Sequence, residues 1–175
     1  MSMRLMSGLS ERIVQVLRDW LPAELDLVDA EEADGITTPD IPNARYYEWD
    51  QPTIPNYPAC TIRTVSSIPV EILPTLMGER VDAKHRLDIL FHATYAQANQ
   101  VPRDLQKILH RYIAGAVRVL CVTKEALQTS ADSARFVELV EWSGEAVYGP
   151  EVGQESGAIV RTATLPITVR RRETR

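Results

Sequence analysis

Cysteine is nearly missing from this 175-residue chain: Cys60 and Cys121 stand far apart, in differently patterned segments. Two such residues make neither a disulfide framework nor a zinc cluster, and both read as small buried hydrophobes. Histidine is scarce as well, with three residues, and no apolar run approaches the ~20 residues that a membrane-crossing helix requires. Nor is there a basic excess, since 19 Lys and Arg against 24 Asp and Glu leave a formal charge of −5. That balance argues against a duty of gripping nucleic acid phosphates. The N-terminal stretch MSMRLMSGLSERIVQVLRDW lacks a continuous apolar core followed by small residues, so no signal peptide is expected and the cytoplasm is the expected compartment.

What is present is an ordinary globular balance, 45% hydrophobic and 25% charged, in a length that suits a single domain over 1–175. Leu5, Leu9, Ile13, Val16, Leu17 and Trp20 recur at helical spacing and predict an amphipathic helix over residues 3–20, ended by Pro22 and followed by a short extended piece, ELDLV. From 29 to 58 both periodicities stop. Seven acids face the lone Arg45, prolines stand at 39, 42, 52, 55 and 58, and Tyr46, Tyr47, Trp49 and Tyr57 supply more aromatic surface than a solvated linker needs. An acidic, Pro-rich loop whose second half docks against the domain or a neighbour is the expectation.

The segment ACTIRTV reads as a strand, and 66–81 (SSIPVEILPTLMGERV) reads as a long hairpin connection with apolar residues Ile68, Val70, Ile72, Leu73, Leu76 and Met77 in need of cover. Either the loop folds onto its own core or it is an arm that covers an adjacent subunit. In HRLDILFHATY, Leu87, Ile89, Phe91, Ala93 and Tyr95 alternate with polar residues at the period of a half-buried strand. His85 and His92 then fall on opposite faces and cannot share a metal ion. Val101, Leu105, Ile108, Leu109, Tyr112, Ile113, Ala116 and Leu120 form a helical stripe opened by Pro102, with His110 off its centre. Two more strands follow, RFVELVEW and AIVRTATLPITVRRR, separated by a loop with four glycines, and Pro166 in the second suggests a sheet edge or bulge. The expected fold class is α+β: a mainly antiparallel sheet of about four to five strands packed against two amphipathic helices, with long loops.

Motifs with chemistry fall short. GEAVYGPE has the glycine spacing of a phosphate-binding loop, but Pro150 and Glu151 stand where Lys and Ser or Thr are needed. Ser143 lacks the nucleophile-elbow glycine, because Glu141 occupies that position. Placing Gly35 at the turn glycine of a calcium loop puts Ala30 and Ile41 at the first and last ligand positions, where oxygen is required. No catalytic residue, metal ligand or cofactor site is expected. The basic end RRRETR, with Arg170, Arg171 and Arg172, reads as a solubilising tail or as an electrostatic contact with an acidic surface.

The helix LSERIVQVLRDWL, the strand HRLDILFHATY, the helix RDLQKILHRYIAGAVRVL and the closing strand TATLPITVRRR, in this order and at this length, resemble the tail terminator (tail completion, minor tail) proteins of long-tailed bacteriophages. The resemblance implies a structural virion protein and no enzyme. It implies a homo-oligomeric ring, commonly a hexamer, that caps the tail tube protein, meets head completion or neck proteins and lets DNA pass without specific binding. It places the chain in the virion tail or neck after assembly in the host cytoplasm. A last strand apolar on both sides would need cover from neighbouring copies, with 68–77 as the arm and Arg170 to Arg172 at a charged seam. A neck protein or the cap of a phage-like contractile machine is the close alternative; a small metal-dependent hydrolase and an RNA-binding module are the readings from other classes.

Overall fold

A computed structural model of the chain describes residues 4–48, 54–75, 78–94, 96, 101–122, 135–142, 147–148, 152–153 and 159–174. Two helices, α1 (Arg4–Glu32) and α2 (Pro102–Val117), lie on one face of a sheet with strands β1 (Tyr46–Tyr47), β2 (Ala59–Thr75), β3 (Gly78–Thr94), β4 (Arg135–Trp142), β5 (Val147–Tyr148), β6 (Val152–Gly153) and β7 (Ile159–Thr174). The order across the sheet is β1-β2-β3-β7-β4, with β5 and β6 also on β7. All pairings are antiparallel except β1 with β2. This is the α+β architecture expected from the sequence.

The core forms where two periodicities meet. Along α1, Ile13, Leu17, Leu21 and Leu25 are buried at helical spacing; along β3, Leu87, Ile89, Phe91 and Ala93 are buried at every second residue. α2 adds Leu105, Ile108, Leu109 and Tyr112, whose ring stacks on Phe91 with centroids 5.4 Å apart. The helices touch at Gly115: a Cβ there would come within 2.9 Å of Leu21 Cδ1 and 3.2 Å of Leu25 Cδ2, so any side chain at this position requires the movable ends of these leucines to give way.

Four expectations are corrected. First, α1 does not stop before Pro22 but runs through it to Glu32, and ELDLV is helical. Proline at that position costs about 3 kcal/mol through its missing N–H and its clash with the preceding turn. Beyond it, Leu25 and Val28 are buried, each worth roughly 2 kcal/mol, so packing outweighs the break. The helix ends instead at Ala33, whose φ of 48° turns the chain away while its N–H still reaches Asp29 O at 3.1 Å.

Second, the hairpin connection expected over 66–81 is strand at 66–75 and 78–81: β2 runs to Thr75 and β3 starts at Gly78, paired from Thr75↔Gly78 to Ala59↔His92 with two register shifts between. The prolines are tolerated because β2 is an edge there, β1 pairing only with Cys60 and Thr61. Third, Arg170, Arg171 and Arg172 belong to the last strand as its sequence indicates, but they are not its loose end, because β7 runs on to Thr174. They lie within β7, paired with Lys84, Ala83 and Asp82 of β3 on one side and with Leu139, Val137 and Phe136 of β4 on the other. Fourth, the two-sided apolarity of β7 is met within one chain. Ala163, Leu165, Ile167 and Val169 are buried on the helix side, and Val160, Pro166 and Thr168 on the other. Pro166 stands between Thr164, paired with β5, and Ile167, where β4 pairing begins. A missing ladder donor costs little at such a break.

Candidate functional site

Three places could carry function, and each is built by distant parts of the chain. The first is a carboxylate and guanidinium cluster where the loop after α1 crosses α2. Arg111 is only 4% exposed. Its Nη1 donates to Asp29 Oδ1 at 2.8 Å and to Ile36 O at 2.5 Å, and its Nη2 to Asp34 Oδ1 at 2.5 Å. Lys107 Nζ donates to Asp34 Oδ2 at 2.7 Å, and Asp29 also accepts from the N–H and hydroxyl of Thr38. Lys107, then Arg111 and the Ile36 N–H, hold the Asp34 carboxyl well below the usual carboxylate range. Tyr112 donates its hydroxyl to Pro39 O, and Ile41 and Tyr46 are buried beyond it. The acidic loop is thus a strap sewn onto α2. Its first half docks here, and Tyr46 of the second half docks on α1, where its carbonyl accepts from Arg18 Nη2 at 3.2 Å. Trp49 lies outside the described residues.

An open cleft of about 320 Å³ flanks this cluster, lined by Glu32, Arg103, Gln106, Lys107, His110 and Arg111. It looks cationic, yet two of its three Lys and Arg residues already serve Asp29 and Asp34, so little positive charge is left for an anion. Its residues brace the strap. His110 is exposed, off the apolar stripe as its spacing indicates.

The second place is the sheet face turned away from the helices. His85 is buried at 2% exposure on the helix side, with Leu87 and Ile89, while His92 lies on the other face, as strand alternation requires. One ring nitrogen of His92, Nε2, lies 3.0 Å from Thr61 Oγ1 and the other, Nδ1, 2.9 Å from Thr162 Oγ1. A neutral imidazole donates at one nitrogen and accepts at the other, and hydroxyls suit both roles. The group resembles a hydroxyl activated by a base, but the Thr61 hydroxyl is buried within the sheet, with that residue 2% exposed. The trio ties β2, β3 and β7 together. Among the described residues no three His, Cys, Asp or Glu side chains are grouped as metal ligands, and no helix is long and apolar enough to cross a membrane. Cys60 is fully buried, which pushes its thiol far above the ordinary range and keeps it an inert packing residue. Gly144 and Glu151, which bound the glycine loop, lie outside the described residues.

The third place is the far end of the sheet, and it holds the residues singled out from the sequence. Ile68, Val70, Ile72 and Leu73 lie on β2 and Arg170, Arg171 and Arg172 on β7, while Leu76 and Met77 lie outside the described residues. The backbone register brings the two sets to one region: Ile68 pairs with Lys84, which pairs with Arg170. Straight 17-residue strands span about 56 Å, whereas a compact chain of this size is roughly 40 Å across. Drawn out straight, the hairpin would exceed that width. Its free edge is poorly suited to adding a further strand, since Pro69 and Pro74 lie in it and the register shifts between Thr64 and Ser66 and between Pro69 and Glu71. Contacts made by this end would therefore use its faces.

Sequence reasoning missed Arg111. A charge inside an apolar helical stripe is the only signal that it left, and position alone does not reveal its partners. No known family model matches the chain, and no curated protein matches it.

Proposed function

We propose that the chain is a structural protein of a phage tail, a ring-forming terminator that caps the tail tube and forms the joint to the head. The observation that carries the reading is the long β2–β3 hairpin, continued by β7 and β4 at the same end of the sheet. Strands average five or six residues in globular domains; 17-residue partners in a chain this small are suited to bridging between subunits. The succession of helix, strap, hairpin, helix and strands supports it, being the order that the family resemblance rests on. An arm of this length suits contact with neighbours, whereas β7 is already buried or half-buried within one chain over 160–169.

The test is mass measurement in solution and negative-stain imaging, first alone and then with preformed tail tubes. A closed ring, six-membered by the resemblance, that sits on tube ends is the expected result. Tubes left uncapped overturn the terminator reading, and a chain found only at the head side of the joint makes it a neck protein.

A further inference from the structure

α1 carries a second apolar stripe beside the one that faces the core. At 100° per residue, Leu9, Ile13, Val16, Trp20 and Leu27 fall within about 60° of one another. The first three are buried, but Trp20 is 47% and Leu27 54% exposed. The stripe therefore runs out of cover halfway along the helix. Asp19 and Asp26, both exposed, flank the open part on one side; half-buried Glu24 and exposed Glu31 flank it on the other. Arg118 neutralises Glu31. An apolar centre with an acidic rim asks for a partner with an apolar centre and a basic rim.

The same molecule presents one. On the sheet face away from the helices, Val65 is 47% exposed at the register shift of β2. Around it stand Arg63, Lys84 and Arg86, all exposed, with Arg170 in register beside Lys84. Asp88 takes up Arg63 at 2.8 Å, which leaves Lys84 and Arg86 as the surplus charge. One patch lies on a helix and the other on the opposite side of the sheet, so two copies cannot satisfy both at a single symmetric contact. Complementary patches on different sides give head-to-tail association, which closes into a ring when the rotation permits.

We propose that the exposed Trp20–Leu27 stripe of one copy docks on the Val65, Lys84 and Arg86 face of the next. This deepens the ring reading and rests on it. The test uses the full chain in three charge-reversed forms: Asp19→Lys with Asp26→Lys, Lys84→Glu with Arg86→Glu, and all four together. All sites are on the surface, and circular dichroism melts verify folding. In sedimentation over ~1–100 µM, each two-site form should lose self-association by at least about 100-fold, as like charges now face each other. An equimolar mixture of the two should recover it, because each reversed patch then meets its complement, and the four-site form should recover it alone. Trp20→Ala should weaken assembly by roughly 30-fold without moving the melt. Undiminished assembly of either two-site form, a mixture that fails to recover, or a wild type that stays monomeric overturns this contact. Capping of tube ends then judges the terminator reading separately: rings on tubes with unaffected charge variants would keep that reading and discard this seam.

Discussion

Asp34 is ionised more readily in the folded chain than in the unfolded one, because Lys107, Arg111 and the Ile36 N–H all donate to it. The sign follows: the stability that it contributes is complete above the ordinary carboxylate pKa of about 3.9 and is lost as pH falls toward its depressed folded value. Urea melts taken from pH 7 to about pH 2 should show a declining midpoint below roughly pH 4, and Asp34→Asn should start lower at pH 7 and decline less. Parallel curves for the two proteins would mean that the cluster does not couple to folding. From the sequence alone these acids read as a solvated loop, for a physical reason. Asp29 and Arg111 are 82 residues apart, and pairing between charges leaves no periodic trace along the chain. The aromatics gave better guidance, since Tyr46 is buried as its bulk demands.

At the scale of elements, period decides more than punctuation. The strands ACTIRTV, HRLDILFHATY and AIVRTATLPITVRRR, and the helix opened by Pro102, were legible because their apolar residues recur at the period of the face that they bury, and RFVELVEW because it is rich in strand-forming residues. Proline and glycine misled where tertiary contact outweighs local cost: Pro22 sits inside α1, and Pro69 and Pro74 sit on a strand edge that needs no donor. Gly115 is the converse, a glycine that the helix keeps for closeness, and it gives a graded test. Gly115→Ala gains ~1 kcal/mol of helix propensity against contact with the movable end of Leu21, so its net change should stay within about 1 kcal/mol. Gly115→Val adds branched bulk against both Leu21 and Leu25 and should cost roughly 2–3 kcal/mol, about 5–10 °C in melting temperature for a chain of this length. Equal melts for the two variants would show that the helices part without cost.

For the whole molecule, the arrangement of charge matters more than its sum. The net charge of −5 is spread unevenly: acids rim the open stripe of α1, while Lys84 and Arg86 stand surplus on the sheet. Two explanations compete for such a basic face, a seam between copies or a grip on phosphate, and they differ in salt response and in stoichiometry. A phosphate grip would retain duplex DNA at low salt and release it with a log–log slope near −0.9 per contact, so two to four contacts would give a slope of about −2 to −4. A seam is occupied by the next copy's acids once the protein assembles, and the remaining surface is acidic enough to repel DNA. Gel mobility of duplex DNA should therefore be unchanged by ~10 µM protein at ~0.15 M salt, whether or not Lys84 and Arg86 are reversed to Glu. Retention by the wild type that vanishes in that variant would assign the basic face to DNA and leave the Trp20 stripe without its partner.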